Sequence, residues 1–117
     1  MFGFGRSRGI SMEEGITAFS KDPSARLLDV RTPEEYRSGH IPGSINLPVD
    51  DIMRAESLLP DKGTPLYVYC LSGMRSSAAS RSLERMGYQK VANIGGIGAY
   101  RGRLERKDGV VYSASIQ

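Results

Sequence analysis

Cys70 is the only cysteine of the chain, and it follows directly on a short apolar segment, Leu66 to Tyr69. The residues after it, Leu71 to Ser77, contain a glycine and lead into a helical pattern. This order predicts a strand, a tight turn and a helix N-terminus with the thiol at the junction. Converging backbone N–H groups at such a junction favour a thiolate over a thiol, so Cys70 is a candidate nucleophile.

The residues of the loop after Cys70 indicate whether this cysteine is a nucleophile or a purely structural side chain. A lone cysteine at the end of a buried strand can be simply a small apolar side chain. Gly73, however, allows a tight turn, and successive N–H groups of the turn can form an anion-binding nest. Arg75 adds a positive charge, which is expected to lower the thiol pKa further. The loop therefore favours a nucleophile over packing.

The spacing between Cys70 and Arg75 indicates which chemistry an activated thiolate performs. Four residues separate the two, which gives a Cys-x4-Arg pattern. Cysteine phosphatases use Cys-x5-Arg, so this loop is one residue shorter than theirs. A smaller ring of N–H groups encloses a smaller anion, which suits a terminal sulfur better than a phosphate. Transfer of sulfane sulfur through a cysteine persulfide is the favoured reaction, and phosphoryl transfer is the alternative.

The single histidine, His40, opens a further alternative. A Cys/His hydrolase needs a general base beside its thiol, and His40 is the candidate. A loop that ionises the thiol through its own dipoles needs no such base, which favours a structural histidine. One cysteine and one histidine do not complete a closed zinc site, so no metal and no other cofactor is expected.

Composition limits the class of protein. The chain has 117 residues and a net charge of +3, which fits a single domain over residues 1–117 with a core of about 9–106. We expect no signal peptide, no membrane span and no disulfide, hence a cytoplasmic location without a membrane partner. Basic residues cluster at positions 101, 103, 106 and 107, but acidic residues interrupt them. A solvated helix face is favoured there over a nucleic-acid site.

Strand and helix patterns alternate along the chain. Strands are expected over 27–30, 44–47, 66–70 and 89–94. A first helix is expected over 12–20 behind a Ser11–Glu14 capping box, and a second from Thr32 to Gly39. Further helices are expected from a cap at Asp50 or Asp51 to before Pro60, from Ser76 or Ser77 to Gly87, and over a short segment carrying Ile97, Tyr100 and Leu104. This alternation predicts an α/β fold with a mainly parallel sheet and helices on both faces. Ligand sites of such sheets lie at the carboxyl ends of the strands, where Cys70 falls. Residues 109–112 are expected to add an edge strand, within the chain or to a partner.

Four segments together resemble the rhodanese (thiosulfate sulfurtransferase) family, in particular its small single-domain members. They are residues 28–36, 39–48, 70–76 and 93–100, and their order along the chain is that of the family's motifs. Tyr100 stands where the family usually has a tryptophan. The agreement of four motifs in order makes the resemblance specific.

The resemblance implies a five-stranded sheet and a sulfurtransferase. Cys70 would take a sulfur atom from thiosulfate or a persulfide and release it to cyanide or a thiol. The substrate cradle would consist of the next five residues: Leu71, Ser72, Gly73, Met74 and Arg75. Asp29, Arg31 and His40 would have structural roles. A sulfur-relay or binding module that exchanges sulfur with another protein is the alternative.

Overall fold

A central sheet of five parallel strands organises the computed structural model, which describes residues 8–106 and 111–113. The strands are β1 (Arg8–Gly9), β2 (Arg26–Asp29), β3 (Ser44–Asn46), β4 (Leu66–Cys70) and β5 (Val91–Gly96). Their order across the sheet is β1-β5-β4-β2-β3, and every neighbouring pair is parallel. The predicted α/β fold is confirmed, and Cys70 ends the middle strand.

Helices cover both faces of this sheet, as predicted. They are α1 (Met12–Lys21), α2 (Pro33–Ser38), α3 (Ala55–Leu58) and α4 (Met74–Arg85), with 3-10 turns at Val49–Arg54 and Ile97–Ala99. Met12 of α1 belongs to one buried apolar cluster, and Leu83 of α4 belongs to the other. No helix within 8–106 is both long and apolar enough to cross a bilayer.

The strand β4 joins the two apolar clusters, because all five of its residues are buried. Successive side chains of a strand point to opposite faces. Val68 and Cys70 accordingly pack with the α4 side of the sheet, whereas Tyr67 and Tyr69 pack with the α1 side. A strand buried on both faces is typical of the centre of a parallel sheet.

Two capping boxes fix the starts of α1 and α2. In each, the side chain of the N-cap residue accepts a hydrogen bond from the N3 backbone, and the N3 glutamate accepts one from the N-cap backbone. The pairs are Ser11 with Glu14 and Thr32 with Glu35, as the sequence predicts. The second box starts α2 just after β2, on the same edge of the sheet as Cys70, and it orients Glu35.

The helix expected behind Asp50 or Asp51 is different in the structure. A 3-10 helix begins at Val49 directly after Pro48, and α3 follows it. Both aspartates lie inside the 3-10 segment rather than before it, and Asp51 has non-helical backbone angles. Neither is therefore an N-cap, and this prediction is wrong.

The segment from Ile97 to Leu104 is not a continuous helix. The 3-10 turn ends at Ala99, and Leu104 lies in a strand, β6 (Arg103–Glu105), with its side chain buried in the core. Gly98 and Gly102 weaken any helix there, and burial of Leu104 favours the extended chain. The basic residues at 101 and 103 consequently do not share a helix face.

The strand expected near the C-terminus pairs within the chain. It is β7 (Val111–Ser113), and it forms an antiparallel pair with β6 in a separate two-stranded sheet. Residues 109 and 110 of the predicted strand, like Lys107 of the basic cluster, lie outside the described residues.

Candidate active site

Cys70 lies at the carboxyl end of β4, and its side chain is fully buried. The chain turns back within three residues, because Gly73 adopts a left-handed backbone with a φ of 100°. Gly73 is thereby the N-cap of α4, which starts at Met74 rather than at the predicted Ser76 or Ser77. A residue with a Cβ is disfavoured in that conformation, so the glycine is what permits so short a loop.

The sulfur of Cys70 takes part in hydrogen bonds with the loop backbone and with Ser76. The backbone N–H of Gly73 donates to Sγ at 3.0 Å, and the thiol donates to the hydroxyl oxygen of Ser76 at 3.4 Å. Burial by itself raises the pKa of the thiol, but hydrogen bonding with the Ser76 side chain and with the backbone of Ser76, Gly73 and Ser72 outweighs it. The pKa of Cys70 therefore lies below its ordinary value, as expected from the sequence.

Ser76 is held in place by Asn93, which lies on the neighbouring strand β5. The hydroxyl of Ser76 lies 2.7 Å from Asn93 Oδ1 and 3.1 Å from the carbonyl oxygen of Gly73. Asn93 Oδ1 also accepts from the backbone N–H of Gly95, at 3.0 Å. Sequence reasoning missed both residues, although both lie in segments that carry the family resemblance. Their polar side chains beside a strand end were the available signal.

A register shift between β4 and β5 brings Gly96 opposite Cys70. Val68 pairs with Asn93, but the next residue, Tyr69, pairs with Gly95, so Ile94 is left over. A Cβ built on Gly96 would stand 2.4 Å from the carbonyl oxygen of Leu71. The loop after Cys70 thus lies directly on the end of β5, where only a glycine fits.

Arg75 does not supply an unpaired positive charge to the loop, which corrects the sequence-based expectation. Its guanidinium donates to both carboxylate oxygens of Glu35, at 2.8 and 3.0 Å. The hydrogen bond from Arg75 is the main reason that the pKa of Glu35 falls from 4.5 to about 2. Glu35 lies 40 residues away in sequence, so no local pattern predicts the pair.

The other predicted cradle residues form a neutral surface. Leu71 and Met74 are strongly exposed, at 54% and 79%, and Ser72 is exposed as well. Gly73 is half-buried and faces the sulfur through its N–H. The structure therefore brings the predicted residues around Cys70, with apolar side chains turned outward.

The residues predicted to be structural join the strand ends and loops near this edge. Arg31 binds the Asp29 carboxylate, with Nη2 to Oδ2 at 2.7 Å, and donates to the carbonyl oxygen of Gly39. Both side chains are buried. The pair ties the end of β2 to the turn that follows α2, which agrees with the predicted role.

His40 is likewise engaged in structural contacts. Its Nδ1 lies 2.8 Å from the carbonyl oxygen of Tyr36, and its ring stacks on the Tyr36 ring at 3.7 Å. Its Nε2 lies 3.6 Å from a carboxylate oxygen of Glu105. Both ring nitrogens therefore face partners other than Cys70, which disfavours His40 as the base of a Cys/His hydrolase.

A buried thiol with a lowered pKa, beside the Gly73 N–H and the Ser76 hydroxyl at the edge of a parallel sheet, suits attack on a soft electrophile. The family model of the rhodanese-like domain matches residues 12–102 of the chain. The chain belongs to the rhodanese-like family. Sulfurtransferases and sulfur carriers occur among its relatives, and so do tRNA uridine(34) hydroxylases.

Individual relatives of this rhodanese-like chain support the assignment. Thiosulfate sulfurtransferase PspE of Escherichia coli (strain K12) is 41% identical over 71 residues, which are 60% of this chain and 68% of that protein. The putative sulfur carrier protein YrkF of Bacillus subtilis (strain 168) is 35% identical over 85 residues, or 73% of this chain. The match spans only 45% of that protein's length.

The solved structures agree in fold. A rhodanese with anions from E. coli superposes with a TM-score of 0.66 at 35% identity, covering 70% of this chain and 98% of that one. A rhodanese-like domain protein from Staphylococcus aureus gives a TM-score of 0.70 at 30% identity, over 86% of this chain and 98% of its own.

Proposed function

We propose that this protein is a sulfurtransferase that carries sulfane sulfur as a persulfide on Cys70. The observation that carries the proposal is the hydrogen bonding of the buried sulfur: the Gly73 N–H donates to it at 3.0 Å, and hydrogen bonding with Ser76, Gly73 and Ser72 lowers the pKa of the thiol in spite of its burial. Thiosulfate or a persulfide is the donor, and cyanide or a thiol is the acceptor. The lone cysteine needs no oxidising compartment, so the cytoplasm is the proposed location.

In the first half-reaction the Cys70 thiolate attacks the outer sulfur of the donor. A new S–S bond forms on Cys70 while the donor's own S–S bond breaks, and sulfite or a thiolate leaves with the electron pair. The terminal sulfur of the persulfide then rests in the loop formed by Leu71 to Arg75. Each N–H aimed at such a charge contributes roughly 3–4 kcal/mol of transition-state stabilisation.

In the second half-reaction an acceptor attacks the terminal sulfur. Cyanide leaves as thiocyanate, or a thiol leaves as a persulfide, and the Cys70 thiolate is restored. Because the enzyme carries the group between two separate substrates, ping-pong kinetics are expected.

A sulfur-relay module is the second candidate, in which another protein is the donor or acceptor. Two observations favour it: the exposed apolar side chains of Leu71 and Met74, and the similarity to a putative sulfur carrier protein. The two functions share the Cys70 persulfide and differ in turnover with small molecules. Phosphoryl transfer stays disfavoured by the short loop.

Intact-mass measurement after incubation with a sulfur donor tests the proposal. We expect the wild-type protein to gain one sulfur atom and to lose it on addition of cyanide or dithiothreitol. The Cys70→Ser variant is expected to gain no sulfur. Steady turnover to thiocyanate supports the enzyme, whereas sulfur uptake without turnover supports the relay module. Uptake that persists in Cys70→Ser, or hydrolysis of an aryl phosphate without sulfur uptake, would overturn the assignment.

A further inference from the structure

A pair of opposite charges, rather than Arg75 alone, determines the charge around the Cys70 loop. Arg75 is the only charged residue among positions 71–75. Its guanidinium is held by both carboxylate oxygens of Glu35, at 2.8 and 3.0 Å. Such two-bond contacts are the strong form of ion pair. The pair has no net charge, and the low pKa of Glu35 keeps the carboxylate ionised at all ordinary pH values.

The remainder of the loop is uncharged and partly apolar. Leu71 is 54% exposed and Met74 is 79% exposed, so both present apolar surface beside the buried Cys70. Thiosulfate is a small dianion that would approach an already negative thiolate. The apolar side chains of the loop displace water from the thiosulfate ion without offering it hydrogen bonds in return. A guanidinium whose charge is neutralised by a carboxylate attracts the dianion only weakly.

We propose that this loop selects sulfane-sulfur donors with at most one negative charge and an apolar body, the class of organic persulfides, over thiosulfate. Glu35 is the residue that determines this preference, because it cancels the charge of Arg75. The proposal rests on the proposed function of Cys70 as the persulfide carrier.

The transfer step balances without an added oxidant or reductant. The Cys70 thiolate attacks the terminal sulfur of the persulfide RS–SH, a Cys70–S–SH bond forms, and the RS–S bond breaks. The electron pair leaves with the thiolate RS⁻. One thiolate is consumed and one is released, and the persulfide proton moves with the transferred sulfur.

Two donors of unlike charge test the preference. Thiosulfate is a dianion that releases sulfite, and benzenethiosulfonate is an aromatic monoanion that releases benzenesulfinate. The rate of sulfur loading on Cys70 is measured for both by intact mass, and the selectivity is the ratio of the two second-order rate constants. Using the ratio cancels changes in the reactivity of the thiolate itself.

The substitution Glu35→Gln removes the cancelling charge while it preserves the cap of α2, because glutamine also serves in a capping box. A released guanidinium attracts a dianion more than a monoanion. We therefore expect the ratio to shift toward thiosulfate by about tenfold, with a shift that shrinks at high salt. Glu34→Gln is the matched control, since Glu34 is the exposed neighbour on the same helical turn, and its ratio is expected to stay unchanged.

The double variant Glu35→Gln with Arg75→Gln removes both charges. If the Arg75–Glu35 pair of the wild type exerts no net charge on the donors, this double variant returns the ratio of the two rate constants to the wild-type value. A ratio that is unchanged in Glu35→Gln, an equal loss with both donors, or a double variant that selectively loses thiosulfate would overturn the preference. Each of these outcomes requires that the wild-type protein is loaded with sulfur, so none of them counts against the proposed function of Cys70. A wild type that loads from neither donor refutes the proposed function instead.

Discussion

The Ser76 hydroxyl lies 3.4 Å from the sulfur of Cys70, on the first turn of the helix that follows the loop. The buried thiol thus has a side-chain hydrogen-bond partner as well as backbone N–H groups. The same hydroxyl is held by Asn93 Oδ1 at 2.7 Å, so its position is set by the neighbouring strand. The reactivity of Cys70 depends in consequence on a residue of β5.

Replacement of Ser76 by alanine is expected to raise the pKa of Cys70, because it removes the hydrogen bond that lowers this pKa most. A hydrogen bond to a charged group contributes about 1.5–3 kcal/mol, so sulfur loading near neutral pH should slow by about tenfold or more. The thiolate pKa is measured from the pH dependence of alkylation by iodoacetamide.

Ser77→Ala is the control for this measurement. The Ser77 hydroxyl accepts from Arg81 and is not among the groups on the sulfur. A thiolate pKa that is the same in Ser76→Ala and in wild type, with the fold intact by circular dichroism, would contradict the role of Ser76.

Replacement of Ser80 by alanine is expected to stabilise the protein. Ser80 is fully buried in α4, and its hydroxyl has no hydrogen-bond partner within the described residues. A buried unsatisfied polar group costs about 1–3 kcal/mol, and alanine is the better helix former. For a domain of this size each kcal/mol raises Tm by roughly 4 °C. Calorimetry that gives an unchanged or lower Tm would show that the hydroxyl has a partner.

Replacement of Gly96 by alanine is expected to displace the active-site loop. The added Cβ would meet the backbone of Leu71 at 2.4 Å, so the loop after Cys70 must shift away from β5. We expect sulfur loading to fall by about a hundredfold, because misplacement by about 1 Å has effects of that order. Gly98→Ala is the control, since nothing lies within 4 Å of its Cβ position. Equal loading rates in the two variants would argue against the close approach.

The Arg75–Glu35 pair predicts a specific loss of stability in acid. The pKa of Glu35 is lowered from 4.5 to about 2 in the folded protein. A lowered carboxylate pKa stabilises the folded state fully above pH 4.5 and progressively less as the pH falls toward 2. In urea unfolding, the free energy by which wild type exceeds Glu35→Gln should therefore be largest above pH 5 and shrink toward pH 2. The exposure of both side chains makes this difference modest. A difference that stays constant over this range would contradict the lowered pKa.

Local sequence signals predicted the elements that depend on near neighbours. In the capping boxes at Ser11 and Thr32 the interacting side chain and backbone are three residues apart, so the sequence predicts the starts of α1 and α2 correctly. The strand that ends at Cys70 was predicted as central because it is apolar at every position. The start of α4 was misplaced, because a glycine N-cap with a left-handed backbone carries no side-chain signal. The expected helix over Ile97 to Leu104 failed because burial of Leu104 through a strand outweighed a helical spacing.

The sequence by itself determined the α/β fold and the family, together with the nucleophile candidate Cys70 and its short loop. These depend on residue order, apolar patterns and glycine positions within a few residues of one another. The tertiary structure decided the contacts that connect distant segments: Glu35 with Arg75, Asn93 with Ser76, and Gly96 with Leu71. Each forms because parallel strands bring their carboxyl ends to one edge of the sheet, where residues far apart in the chain become neighbours.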